Sequence, residues 1–448
     1  MGKRLIVLLA LALIVGLTFS AAYAEVQNVK VSGDIIASGV ARDHFNMSSS
    51  TSGVPAPQSV RQSFLMSQIR LRVDADLTDN VTATVRLINE RIWNGQNDTN
   101  VGNANNSNID LDLAYVTLKE FLYSPLTLTI GRQEIKFGNQ LIIGKAGAAS
   151  GTSSIPSDLS ERSAFDAIRA TLNYDPLVID LVYAQIAQGN SVSFENSASL
   201  AGVNATYALN KKIDLSGYYW LKKLNAVSAD LSKPDSVNTI GALISSTPME
   251  NLVASLEAAY QFGKNTQTAT QGRHDAWALQ AIADYTFAKV KTTPTIGASW
   301  TYLSGGVMGN ATRNEGWDPM FYNQKLNNIV YAILPFSNMN AYNLKASLKP
   351  VEDVTISAVY GYYDVTHSQA AGTAITSPST FDAGATSTYN NWYTGADHLG
   401  DSLDLTATYD YTEDVQFGLT GGFFAPGKGL QTDYTSATQI IGSMKVTF

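Results

Sequence analysis

Apolar and polar side chains alternate with a period of two through most of the chain. In the stretch 64–77, Leu65, Ile69, Leu71, Val73, Ala75 and Leu77 share one face, and Gln68, Arg70, Arg72, Asp74 and Asp76 share the other. That period belongs to a strand with one oily and one wet side. Eighteen segments carry it, at about 27–42, 64–77, 81–93, 109–121, 126–137, 165–174, 177–187, 199–209, 213–224, 237–246, 252–262, 276–287, 292–302, 340–348, 354–363, 398–410, 415–424 and 437–448. Each supplies the roughly 9 to 11 residues that a tilted strand needs to cross a bilayer. Past the first 24 residues no apolar run is long enough for a spanning helix.

The connections alternate strictly between long and short. Short ones carry turn chemistry, as in Thr78-Asp79-Asn80, Ser124-Pro125, Asp175-Pro176 and Lys349-Pro350. Long ones, such as 94–108 and 364–397, are rich in Asn, Ser, Gly and Thr. This predicts an all-β, antiparallel transmembrane barrel of about 18 strands, with 16 possible, having short periplasmic turns and long extracellular loops. A charged row cannot face lipid, where an Arg at the midplane costs about 2 to 4 kcal/mol. The same parity turns Thr84, Arg86, Glu90, Arg169, Thr171, Ser402 and Asp404 inward. A barrel this wide leaves an aqueous channel. Two features blur the count: 328–336 reads as a further strand or a loop helix, and parity slips between Thr127 and Thr129 on one side and Arg132, Glu134 and Lys136 on the other. A bulge near Gly131 would reconcile the latter.

The ends agree with export to an outer membrane. Gly2-Lys3-Arg4, an apolar run over 5–19 and Ala22-Tyr23-Ala24 read as a signal peptide over 1–24, leaving a barrel over 25–448. The closing segment places Ile440, Gly442, Met444, Val446 and Phe448 opposite Gln439, Ser443, Lys445 and Thr447. In a barrel the last strand must pair with the first, and a terminal Phe448 resembles the signal read by the barrel-insertion machinery; the alternative is an edge strand of a soluble sandwich. The absence of Cys excludes disulfides, thiolate metal sites and lipid-modified cysteine. The partners expected are outer-membrane lipid and a small hydrophilic or anionic solute, with no nucleic acid and no cofactor. Oligomeric state is open.

Candidate chemistry lies in the arginines. Of twelve, eight fall between Arg61 and Arg169. Arg presents a rigid fork that binds carboxylates or phosphates through paired hydrogen bonds. The candidate pore-lining and substrate-binding set is Arg70, Arg72, Asp74, Arg86, Glu90, Arg132, Arg162 and Arg169. An equally weighted alternative is that these bases brace the wall against Asp74, Asp76, Glu90, Asp110, Asp112, Glu134 and Asp166. The loop 138–163, with Gly144-Lys145-Ala146-Gly147-Ala148, suits either a constriction folded into the barrel or, slightly better, an external loop. His44, His274, His367 and His398 fit solvated loop positions, and 94–110 offers at most a weak Ca²⁺ site. No catalytic Ser, His and acid set, and no metal site, stands out.

Gly131-Arg132-Gln133-Glu134-Ile135-Lys136-Phe137-Gly138, followed by Arg162-Ser163-Ala164-Phe165-Asp166-Ala167-Ile168-Arg169, resembles the alginate-export family of outer-membrane proteins. Leu399-Gly400-Asp401-Ser402-Leu403-Asp404-Leu405 and Phe423-Phe424-Ala425-Pro426-Gly427 look like its closing strands. The resemblance implies a single-domain barrel, often eighteen-stranded, conducting anionic polysaccharide or other small solutes, with Arg132, Arg162 and Arg169 in the pore lining. The chain departs in charge: without its first 24 residues it holds 28 basic against 38 acidic side chains. The leading expectation is diffusion of small hydrophilic, anionic or sugar-like solutes through an Arg-lined pore, without enzymatic chemistry. The alternatives are a nonspecific or cation-preferring porin and a closed structural or adhesin barrel.

Overall fold

A computed structural model describes residues 28–44, 61–93, 109–146, 155–187, 197–225, 235–265, 272–306, 313–371, 374–375, 391–431 and 436–448. The expected signal peptide 1–24 and most of the stretch 94–110 lie outside the described residues. Eighteen long strands form the wall. The first nine are β1 (Asn28–Asp43), β2 (Arg61–Thr78), β3 (Val81–Ile92), β4 (Asp110–Leu118), β5 (Leu126–Gln133), β6 (Phe165–Asn173), β7 (Leu177–Ala187), β8 (Ser197–Asn210) and β9 (Ile213–Asn225). The others are β10 (Asp235–Ser246), β11 (Leu252–Asn265), β12 (Gly272–Thr286), β13 (Thr295–Leu303), β14 (Met339–Val351), β15 (Val354–Asp364), β16 (His398–Asp410), β17 (Val415–Pro426) and β18 (Ala437–Thr447).

Each strand pairs antiparallel with the next, and β18 pairs with β1 from Asp34↔Thr447 to Asp43↔Thr438, so the sheet has no edge. The terminal residue completes the seam: the Gly33 amide donates to the Phe448 carbonyl at 2.8 Å and the Phe448 amide to Gly33 at 3.0 Å. Both described ends lie on the short-turn side. A further short strand, Arg313–Asn314, runs parallel along the loop-side end of β12.

Outward parity is apolar and open, with Leu65, Ile69 and Leu71 on β2 all at least 40% exposed. Inward parity is polar: Thr84, Glu90, Asp180, Asn204, Thr239, Gln261, Gln280, Ser402 and Asp404 are buried. Exposed aromatic side chains collect toward the turn end (Tyr123, Tyr174, Tyr207, Tyr409, Tyr411, Phe417) and toward the loop end (Tyr183, Tyr219, Trp277, Tyr362, Phe423). Two such girdles bound the lipid-facing band of an outer-membrane barrel.

The bulge expected at Gly131 is absent, and the parity slip there is Arg132 itself taking the outward face. β5 keeps its register with β4 and β6 straight through Gly131. A separate bulge lies on β4 at Asp112, where the pairing with β3 jumps from Arg86↔Leu113 to Leu87↔Leu111. A bulge leaves its additional residue unpaired and re-aims the side chain, so Asp112 and Leu113 are both buried while Leu111 stands 50% exposed. The stretch 328–336 contains a helix, α1 (Asn328–Ile333), whose N-cap Asn327 accepts from the Val330 amide at 3.1 Å.

Gly131 has φ +123°, and a Cβ there would strike the Ala114 carbonyl and lie 2.9 Å from the Tyr115 Cα. Gly131→Ala is therefore expected to destabilise the barrel by about 1 to 3 kcal/mol in urea unfolding. Gly421→Ala, which meets nothing within 4 Å, should leave the transition in place; equal effects would refute this origin of the strain.

Candidate functional site

The inward face of β1 to β7 carries a lattice of arginines and carboxylates. Arg70 holds Asp34 of β1 with two hydrogen bonds, 2.9 Å from Nε and 2.5 Å from Nη2, and donates to Glu161 at 3.2 Å. Arg72 sits directly opposite Arg86 in the register. Like charges so placed repel, and each turns to its own acid. Arg72 grips Asp74 at 2.7 and 2.8 Å, while Arg86 donates to Asp112 at 2.5 Å and to Glu134 at 2.7 Å. Asp74 also accepts from Thr84 at 2.6 Å. Arg169 donates to Asp180 at 2.8 Å and lies 5.3 Å from the Phe137 ring centroid.

Arg162 belongs to the loop between β5 and β6, yet it reaches the wall, donating to Glu90 at 3.1 Å and Asp110 at 2.5 Å. Glu90 in turn accepts from Gln68, from the Ser160 hydroxyl and from the Glu161 amide at 2.8 to 3.0 Å. Arg132 does not join this lattice. Because β5 runs through Gly131 without a bulge, Arg132 takes the outward parity of Ile130 and donates to Asp166 of β6 at 3.1 Å. Of the expected set, Arg70, Arg72, Asp74, Arg86, Glu90, Arg162 and Arg169 are thus brought together on the lumen side, and Arg132 is on the lipid side.

Two segments fold into the lumen. Residues 134–146 and 155–164 follow β5, and residues 317–338 follow β13. Their buried apolar groups, Ile135, Leu141, Ile142, Ile143, Trp317, Phe321 and Ile329, pack against the inside of the wall. The described parts of the loop 138–163, residues 138–146 and 155–163, therefore lie inside the barrel rather than outside it. Ile143 and Phe321 form a parallel bridge; the Gly144 amide donates to the Phe321 carbonyl at 2.7 Å and the Phe321 amide to Ile142 at 2.9 Å. The pair is anchored all round. Lys222 of β9 holds Asp318 at 2.8 Å, Gln280 of β12 donates to Gln324 at 2.6 Å, Asn327 donates to Ser402 of β16 at 2.8 Å, and Arg42 of β1 is paired with Asp158. The result is an eyelet inside the barrel.

Two cations of the eyelet differ from the arginines. Lys145 donates to the backbone carbonyls of Ser157 at 2.9 Å and Ser160 at 3.5 Å. Lys325, exposed, donates to the Asp158 carbonyl at 2.8 Å and lies 5.1 Å from the Tyr331 ring centroid. Neither forms an ion pair with a carboxylate among the described residues. Burial pushes the Lys145 ammonium down to about 8, and the like charge of Lys325 adds to the shift against the pull of Glu90, Asp158 and Glu161.

Sequence reasoning missed Asp34, Arg42, Asp158, Glu161, Asp180 and Lys325. Parity alone would have turned Asp34, Arg42 and Asp180 inward; the other three sit in loops, which have no parity. His274 is also not a solvated loop residue: it is 4% exposed on β12, with Asp235 at 3.5 Å.

The sequence pattern of the family described as Alginate export matches residues 42–442. No curated protein matches the chain. Among solved structures, OccK8 (OprE) of Pseudomonas aeruginosa is similar at 12% identity and TM-score 0.57, covering 94% of this chain and 99% of that one. OccAB2 of Acinetobacter baumannii is similar at 11% identity and TM-score 0.57, over 95% and 99%. OccK2 (OpdF) of Pseudomonas aeruginosa, solved in complex with glucuronate, is similar at 11% identity and TM-score 0.55, over 94% and 99%. At these identities the likeness is one of fold.

The lattice sets the cost of breaking a pair. Arg86→Met leaves the Asp112 carboxylate buried without its base and is expected to cost about 3 to 5 kcal/mol in urea unfolding, most of it restored by adding Asp112→Leu; a double variant as unstable as the single would sink the bracing role. Lys145 has its folded value below that of the unfolded chain, 10.5, so its charge opposes loop seating below a pH of about 8 and that cost fades as pH rises. The reversal potential should accordingly move toward cations between pH 7 and 9, and Lys145→Gln should flatten that step.

Proposed function

The chain belongs to the alginate export family, and on that footing we propose that its barrel passes small anionic, carboxylate-bearing or sugar-like solutes by diffusion through the eyelet. It is an outer-membrane channel and not an enzyme. The observation that carries the anionic reading is the pair Lys145 and Lys325. They are the eyelet cations held by backbone carbonyls and by a ring rather than by carboxylates. Backbone carbonyls orient an ammonium without forming an ion pair with it, so its charge stays available to a passing carboxylate.

The arginines have a second role in this reading. Arg70, Arg72, Arg86, Arg162 and Arg169 with Asp74 and Glu90 form a wall of alternating donors and acceptors, matched to a solute with both hydroxyl and carboxylate groups. Glucuronate, bound in the similar OccK2 barrel, is a solute of that class. The net charge of −8 favours a cation-preferring porin as the second reading.

We further propose that residues 1–24 direct export, that residues 25–448 make up the barrel, and that the terminal Phe448, hydrogen-bonded to Gly33, is the group recognised by the barrel-insertion machinery.

Single-channel recording under a salt gradient tests the solute class. Lys325→Glu is expected to move the reversal potential toward cations with conductance retained, and glucuronate should block the native channel more strongly than the variant. Exchanging Arg70, Arg72 and Arg169 for Ala should weaken block by acidic sugars with a smaller change in ion preference. Cation preference of the native channel would instead establish the second reading, and a barrel that never conducts would establish a structural one.

A further inference from the structure

One level of the outer surface is basic on one side of the barrel. Strand registers place the following residues side by side near the loop-side rim: Lys223 of β9 opposite Ser236 of β10, Ser236 opposite Lys264 of β11, Lys264 opposite Arg273 of β12, and Arg273 beside Arg313 of the short parallel strand. Paired residues of a sheet point to the same face. That face is the lipid side, because Tyr219, Ile240, Phe262 and Trp277 share its parity and stand 37 to 52% exposed.

The four bases are exposed, with the Arg273 and Arg313 side chains open to 69% and 47%. Their described acidic neighbours are two: Asp275, which accepts from Arg313 at 2.6 Å and lies 3.4 Å from Arg273, and Glu315, 3.2 Å from Arg313. Positive charge therefore remains. Followed the other way round, the same level holds Ser199, Gln185 and the pair Asp166 and Arg132, so the surplus does not extend across β8 to β5.

Directly beneath the bases lies an aromatic shelf. Tyr260 and Trp277 meet at 4.4 Å between ring centroids, and Tyr260 and Phe262 at 5.9 Å. Aromatic side chains mark the height where acyl chains give way to headgroups. A ligand for this row must then present anionic groups at headgroup height with its chains alongside the shelf, and phosphates suit an Arg and Lys row.

We propose that the outer face of β9–β12 binds the phosphate groups of a phosphorylated outer-leaflet glycolipid through Lys223, Lys264, Arg273 and Arg313, with its chains on Tyr260, Phe262 and Trp277. The charge complementarity and the aromatic shelf together select a lipid over a soluble anion.

Native mass spectrometry of the full-length protein with bis-phosphorylated lipid A tests the assignment. The quadruple Gln variant at the four bases is expected to bind at least about tenfold more weakly. The double variant Lys223→Gln/Lys264→Gln, which breaks no ion pair among the described residues, should lose part of that affinity, and Lys289→Gln/Lys291→Gln on the turn side none. Unchanged channel conductance reports that the variants are folded. Equal binding by the quadruple variant overturns the proposal, as does equal binding of lipid A stripped of its phosphates. Displacement of the lipid by millimolar inorganic phosphate overturns it too, because the site would then be a plain anion site.

Discussion

Hydrocarbon offers no partner to a backbone amide or carbonyl, so every one of them in the lipid band has to be paired within the sheet. The seam between β18 and β1 is where that demand is hardest to meet, since its strands lie at opposite ends of the chain. It is met over ten residue pairs from Asp34↔Thr447 to Asp43↔Thr438, then once more by Phe448 and Gly33. The even strand count, the hairpin order and the short turns all follow from closing the sheet with both ends on one side. So does the period of two: the same strand faces oil on one side and water on the other.

Closure at eighteen strands fixes a width that wall side chains cannot fill, and this creates the second problem. Inward polar rows would stand unsupported around a wide lumen. The arginine lattice resolves it by joining neighbouring strands, as in Asp34 to Arg70 and Arg86 to Asp112, and by reaching out to the inserted segments, as in Glu90 to Arg162 and Arg42 to Asp158. Wall and eyelet are thereby one network. Truncating one member leaves its partner charged and dry, which is why such pairs cost more to break than to replace.

The strands were legible because lipid and water impose opposite demands on adjacent residues, and each of the eighteen expected segments overlaps one of β1 to β18, with 126–137 running four residues past Gln133. Where alternation could be satisfied by two geometries, it misled. Asp110-Leu111-Asp112-Leu113-Ala114 alternates without a break, so the bulge at Asp112 is invisible, while the outward Arg132 on the straight strand β5 looks like a fault at Gly131. The inward placement of Arg132 rests on the family resemblance and on that supposed bulge, and the straight register of β5 turns it outward. The eyelet left still less trace, because Ile143 meets Phe321 through contacts far apart in the chain, with small and apolar residues that would serve an external loop equally well. Its lysines carry no sequence signal at all: what distinguishes Lys325 from other loop lysines is only the carbonyl and ring it meets.

Net charge is a poor guide to what such a pore prefers. Acidic side chains such as Asp79, Glu120, Glu352, Asp353, Glu413 and Asp414 stand exposed in turns, and beyond a Debye length of about 8 Å at physiological salt an exposed charge contributes little to the field at the eyelet. What a solute experiences at the narrow point is the local sum. There each wall arginine comes with its acid, whereas Lys145 and Lys325 are oriented by dipoles that leave their charge in place. On the proposed reading, an acidic protein holds an anion-attracting constriction, and the arginines that dominate its sequence serve mainly to hold that constriction still.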